Sequence, residues 1–172
     1  MGNDIGFGFE LGRSLGFEES TAATDQRNCK RLIAFVNRKD WWHVPPRDRK
    51  AYSKRGTFLA ASFTEAEFWG RPLDEPQRVR VETPLIGDET RIERVLFGEN
   101  LSTEGMSMAQ RFQLDAKMKT AALRRGFDSI LLMAPKGFAQ FMATGKLPRR
   151  MELNVLEGWR VMASFSQSGG KI

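Results

Sequence analysis

Two aromatic residues, Phe58 and Trp69, stand with ten residues between them in the stretch 56–70, Gly-Thr-Phe-Leu-Ala-Ala-Ser-Phe-Thr-Glu-Ala-Glu-Phe-Trp-Gly. The apolar run 58–61 is too short for a helix and reads as a buried strand. A helix start follows, with Thr64 as N-cap and Glu67 as its capping-box partner. Gly70 and then Pro72 stop that helix. A strand that turns back through a helix can bring the two rings face to face and leave a slot in which a flat ring stacks. The same spacing also suits two aromatics that are simply core.

A second cluster, Trp41-Trp42-His43, precedes a Pro-Pro pair that excludes a helix. Aromatics in a loop are costly to expose, so this loop is expected to line something. Cys29 and His43 could form a nucleophilic pair, but a single buried cysteine beside a strand is more often packing. One cysteine and one histidine leave no internal disulfide, no multi-cysteine zinc site and no imidazole-built metal centre. The chain carries neither a Gly-Lys-Ser/Thr phosphate loop nor a Gly-x-Ser-x-Gly elbow.

The elements that must position these groups are those of one domain. The chain has 172 residues, 41% hydrophobic and 28% charged, enough for a core. No apolar run reaches the ~18 residues of a membrane span, and the N-terminal residues lack the pattern of a signal peptide. Met-Gly opens the chain, but Phe7 stands where a myristoylation motif wants Ser or Thr. The expected compartment is the cytoplasm. A net charge of +6 suits an acidic partner, nucleic acid or a phosphate-bearing ligand, and equally an ordinary basic surface.

In order, residues 1–27 read as a flexible arm carrying Phe7, Phe9 and Phe17, residues 28–165 as the single domain, and residues 166–172 as a flexible tail. Within the domain, 31–37 is expected as a strand buried on both faces. Residues 48–55 read as one or two helical turns. Residues 77–84 alternate as a half-exposed strand, with Val79 and Val81 inward. A turn is expected at 87–88 and a loop at 98–105, and 89–97 between them fits either a helix or a strand, with the helix preferred. The clearest helix is 107–125, striped by Leu114, Met118, Ala121 and Ala122 and extended by Met108 and Phe112. Residues 130–134 form a buried strand and 137–144 a short helix. Residues 151–156 and 159–165 form a terminal hairpin. This mixture without a βαβ rhythm predicts an α+β fold with split antiparallel sheets.

The order of parts resembles the ADP-ribosyltransferase fold of NAD-dependent toxins and poly-ADP-ribose polymerases, over roughly residues 32–156. The matching pieces are 56–70, then Gly126-Phe127-Asp128-Ser129 opening a buried strand, then Met151-Glu152-Leu153-Asn154-Val155. The resemblance implies NAD as substrate, without metal, and transfer of ADP-ribose to a macromolecule, a protein target before a nucleic acid. It implies Glu152 as the catalytic carboxylate, facing the positive charge that builds on the ribose carbon. Read from the strand alone, Glu152 would face solvent, because Met151 and Leu153 face the other way. The resemblance further implies Phe58 and Trp69 around the nicotinamide ring, and Arg38 or His43 on the adenosine part. Ser62 would hold a ribose or orient Glu152, or else cap the helix. The sequence departs from the family in having Phe58 and Trp69 where tyrosines are usual, and no His-Gly or Arg-Gly pair on the early strand. Arg150 stands where arginine-modifying members carry a second Glu, which argues against arginine as acceptor. The size suits a small effector or inhibitor, with a phage as one conceivable source. The alternative is a non-catalytic basic module that docks on nucleic acid or an acidic protein through the Trp41-Trp42-His43 loop.

Overall fold

The computed structural model describes residues 17–157, and the predicted strand at 159–165 and tail at 166–172 lie outside them. The described chain is α+β, with six helices and one five-stranded mixed sheet. The order across the sheet is β1 (Trp42–His43), β2 (Thr57–Ala60), β5 (Met151–Val155), β4 (Ser129–Met133), β3 (Pro84–Gly87). β3 and β4 are parallel and the other pairs antiparallel. The expected split antiparallel sheets therefore give way, among the described residues, to a single sheet containing a parallel pair.

The first helix, α1 (Phe17–Val36), corrects two expectations. It takes in the last part of the expected arm, and it replaces the expected strand at 31–37. Asn28, Leu32 and Val36 are buried at a spacing of four, which is the inward stripe of a helix. The apolar run that resembled a strand is the end of that longer helix.

The segment 77–84 keeps the predicted alternation, since Val79 and Val81 are buried and Arg78, Arg80 and Glu82 exposed. It makes only an isolated backbone bridge, Gln77 to Trp41, and further along side chains take up its backbone groups in place of a neighbouring strand. Asn37 both donates to the Val81 carbonyl (2.9 Å) and accepts from the Val81 amide (2.8 Å). Asp128 accepts from the amides of Glu82 and Thr83. The ladder starts only at Pro84, so β3 runs through Gly87, where a turn was expected.

The two sheet faces are covered differently. Leu59, Leu153 and Leu131 lie opposite one another and pack against Leu32 and Val36 of α1 and Phe141 of α6 (Pro135–Thr144). On the other face, Ile130 packs with Ile92 and Leu96 of α4 (Glu89–Phe97) and Ala122 of α5 (Met108–Arg124). Ser107 closes a full capping box on α5 with Gln110. Met108 (63%) and Phe112 (42%) are exposed, so the first turns of α5 overhang the core they were expected to enter. The short helix α2 (Lys50–Arg55) lies against α5, where the buried Lys119 ammonium donates to the Ser53 carbonyl at 2.6 Å. That contact satisfies a carbonyl left open near the end of α2.

Candidate functional site

β2, β3 and β4 run the same way, and each passes directly into a helix: β2 into α3 (Phe63–Glu67), β3 into α4, β4 into α6. β5 runs against them, so its first residues arrive at the same end of the sheet. Crevices beyond the carboxyl ends of strands are where open sheets commonly take ligands. A cleft of about 560 Å³ opens there. Its floor is Ala60, Glu152 and Leu132, which lie side by side on three adjacent strands. One wall is Thr64, Glu65, Phe68 and Trp69, and the other runs through Glu89, Ala134 and Pro135.

Glu152 is the central group. Its alternation with Met151 and Leu153 holds as read, but the face it points to is not bulk water, because the cleft and α5 share it. Its carboxyl makes no hydrogen bond or ion pair with another described residue. Burial, reinforced by the charge of Asp115, pushes its pKa up to about 7. At neutral pH such a carboxyl is close to half-protonated and can give or take a proton.

Asp115 reaches this region from α5. Met118, three residues on, packs in the cluster that holds Leu132, the residue directly across from Glu152. Arg55 pairs with Asp115 at 3.5 Å, and its guanidinium lies 3.7 Å from the centre of the Phe112 ring. Burial raises the Asp115 pKa, and Arg55 opposes that shift. At the rim, Arg150 pairs with Glu65 at 3.6 Å.

Of the residues expected at the site, the structure brings Glu152 and Trp69 to one cleft. Trp69 is 67% exposed and meets Phe68, itself 82% exposed, edge to face at 5.1 Å. Phe58 shares the sheet face of Glu152, one row away and opposite Asn154, but it is half-buried and lines no part of the cleft. The expected slot between Phe58 and Trp69 is thus replaced by a Phe68–Trp69 wall. Ser62, not Thr64, is the N-cap of α3, its hydroxyl accepting from the Glu65 amide at 3.2 Å. Arg38 lies beyond the end of α1, whose buried face packs on the opposite side of the sheet, and it donates to the Ala34 carbonyl.

His43 is buried within the body of the protein. Its Nδ1 lies 2.9 Å from the Phe58 carbonyl and its Nε2 2.8 Å from the Tyr52 hydroxyl. A carbonyl only accepts, so Nδ1 carries the hydrogen and Nε2 accepts from Tyr52. This ring ties β2 to α2, and burial lowers its pKa. Trp41 is fully buried and donates to the Val36 carbonyl, while Trp42 meets Phe63 edge to face at 4.9 Å. The segment expected as a loop lining a site is instead strand β1 and the residue before it, with Trp41 and His43 buried and Trp42 half-buried.

Sequence reasoning missed Asp115, Arg55, Phe68 and the rim pair Glu65–Arg150. One signal was present: Asp115 lies three residues after Phe112 and three before Met118, an acid inside an apolar stripe. Among the described residues no cluster of His, Cys, Asp and Glu suits a metal ion, and no helix is long and apolar enough to cross a membrane. Comparison with protein-family models, with curated proteins and with solved structures finds no match for this chain.

Proposed function

We propose that the cleft at Glu152 binds NAD and transfers ADP-ribose to a macromolecule, most simply a protein. The observation that carries this reading is that Glu152, an acid without a hydrogen-bond partner among the described residues, lines the same cleft as exposed Trp69. A flat pyridinium ring laid on the Phe68–Trp69 wall would gain stacking and cation–π attraction. The Glu152 carboxylate would then face the ribose carbon as positive charge develops there. In the transfer, the bond from the ribose carbon to nicotinamide breaks and its electron pair leaves with the ring. The acceptor's nucleophile bonds to that carbon and its proton is released to solvent. The one mixed sheet departs from the split sheets that the family resemblance implies, so the reading rests on the site and not on the fold. Arg150 two residues before Glu152, paired with Glu65, keeps arginine an unfavoured acceptor.

The binding-module reading loses its loop, since Trp41 and His43 are buried. Docking would fall instead to the exposed rings of Phe63, Phe68 and Trp69. One experiment separates the two. The purified protein is incubated with labelled NAD and a crude cell extract. The transferase reading expects a labelled macromolecule with the natural sequence and none with Glu152→Gln. NAD left intact, or label that persists in the variant, overturns it.

A further inference from the structure

The lining of the cleft carries four charged side chains, and three are acids: Glu65, Glu89 and Glu152 against Arg150. The whole chain is basic, with a net charge of +6, so the cleft runs against the charge of the molecule. One acid is already answered, because Arg150 pairs with Glu65 at 3.6 Å. Glu89 and Glu152 have no such partner among the described residues. Glu89 opens α4 and there faces the positive end of the helix. The same position sets it, exposed, on the wall across from Phe68 and Trp69, with Glu152 on the floor between them.

The aromatic wall points the same way by a different physical route. Phe68 and Trp69 are adjacent large rings left open to the cleft, an uncommon display for such residues. The face of an indole attracts a cation beyond the stacking it offers to a neutral ring of the same shape. Arg150 is the single base of the lining, and its side chain stands 87% exposed at the rim.

We propose that the cleft selects its ligand by positive charge: a flat, quaternised nitrogen ring lies between the Phe68–Trp69 wall and the carboxylates of Glu152 and Glu89, while any phosphate of the ligand stays at the rim with Arg150. Naming that ring as the nicotinamide end of NAD rests on the transferase reading, and the charge selection does not. Burial favours the protonated form of Glu152 in the empty cleft, and a cation beside it favours the carboxylate. A phosphate in the same place would do the reverse and would meet Glu89 as well.

Charge selection also favours product release. As the bond to the ribose carbon breaks, its electron pair goes to the ring nitrogen and the ring loses its charge. Substrate and departing nicotinamide then differ by the charge to which Glu89, Glu152 and the indole respond. The neutral product is held more weakly than the cation from which it came, so it leaves and competes poorly with fresh substrate.

Two probes isolate the charge: 1-methylnicotinamide, a cation, and nicotinamide, its neutral parent. Each is titrated calorimetrically into the purified full chain. The cation is expected to bind at least about tenfold more tightly. Glu89→Gln and Glu152→Gln are each expected to narrow that gap by weakening the cation alone, with a thermal melt to establish that the variants are folded. Arg150→Gln removes positive charge from the rim and frees Glu65, so it is expected to weaken NAD and tighten 1-methylnicotinamide. The comparison of the two probes in the natural sequence decides even where a variant does not fold. Equal affinity for the two probes, or no binding of the cation, overturns the proposal, as does loss of both NAD and the cation in folded Arg150→Gln. If the cation is preferred but NAD is not consumed, the transferase reading falls and the charge selection stands. If NAD is consumed while the two probes bind alike, the transferase reading stands and the charge selection falls.

Discussion

Ala60 and Glu152 are direct partners across the β2–β5 ladder, and the small side chain of Ala60 leaves the floor of the cleft open beside the acid. A larger residue there should fill the cleft without entering either core cluster, because Ala60 points away from Leu59 and its neighbours. Ala60→Leu is therefore expected to abolish NAD consumption while changing stability by less than about 1 kcal/mol. Turnover and a thermal melt of the same preparation check both halves. Retained turnover would mean that chemistry occurs elsewhere.

The raised pKa of Glu152 carries a stability prediction of definite sign. Its folded value is about 7 and the ordinary glutamate value lies near 4.3. The native state thus holds the proton more tightly than the unfolded state does. The resulting stability is complete below the ordinary value, falls as pH rises between the two, and is lost above the folded value. The loss is of the order of 3 kcal/mol. Glu152→Gln mimics the protonated acid and should escape it. The variant is expected to match the natural protein at pH ~4 and to exceed it by roughly that amount at pH ~8 in urea unfolding. An equal gap at both pH values would show that the carboxyl does not titrate as described.

His43 titrates in the opposite sense. Burial lowers its pKa, so the native state disfavours the imidazolium. Stability from this ring is complete above its ordinary value near 6.5 and is lost as pH falls through that value towards the folded one. Tyr52→Phe removes the hydroxyl that lies 2.8 Å from Nε2, and with it one partly buried hydrogen bond. The expected cost is about 1 kcal/mol at neutral pH. A phenol hydroxyl can accept as well as donate, so Tyr52 can serve either protonation state of the ring, and the cost should persist below the ordinary value. Paired unfolding curves at the two pH values check it, and no cost at either pH would show that this hydrogen bond does not support the fold.

Phe58 and Trp69 invite a contrast between core and ligand wall. Phe58→Ala should destabilise by about 2 kcal/mol, because a half-buried ring on the sheet is removed. Trp69→Ala removes a ring that is 67% exposed and should leave stability within about 0.5 kcal/mol, yet weaken NAD binding at least about tenfold. Calorimetric titration and a melt separate the two effects. Equal stability losses would place Trp69 in the core.

Where local signals and tertiary context agreed, the sequence was legible. The strand at Thr57–Ala60 and the helix ended by Gly145 carry their own start and stop signals, while Glu89–Phe97 fits helix and strand alike by pattern and is a helix in the fold. Misreadings arose where context overrode the local pattern. Leu32 to Val36 looks like a strand because the polar residues that precede it hide the helical stripe through Asn28. The alternation of 77–84 is true of its burial, but Asn37 and Asp128 replace the neighbouring strand that would have made a ladder. Glu152 was legible as an inward–outward alternation, and what it faces was not. That depends on α5, whose Asp115 is distant in sequence, and on the turn that carries Phe68 and Trp69 to the rim. Exposure of a tryptophan is not a local property, so the Phe58–Trp69 slot could be drawn from spacing and still not form.

Gly56 gives the sharpest test of how closely Asn154 packs against the turn before β2. Its φ is +88°, a left-handed value that favours glycine, and a Cβ there would fall 2.7 Å from the Val155 carbonyl oxygen and still closer to Asn154 Oδ1. One of those atoms belongs to backbone inside the ladder and cannot retreat. The other belongs to the side chain that holds the Arg55 carbonyl. Gly56→Ala must therefore push β2 and β5 apart or expel Asn154, and a loss of about 3 kcal/mol or more is expected. Gly98 is the control, with φ +80° and nothing within 4 Å of an added Cβ. Gly98→Ala carries only the backbone cost, about 1 kcal/mol. Denaturant midpoints of the two variants measure the difference. If Gly56→Ala proves as mild as Gly98→Ala, the close approach of Asn154 to the turn before β2 is not a constraint on the fold, and the Asn154 side chain is held less firmly than its hydrogen bond to the Arg55 carbonyl indicates.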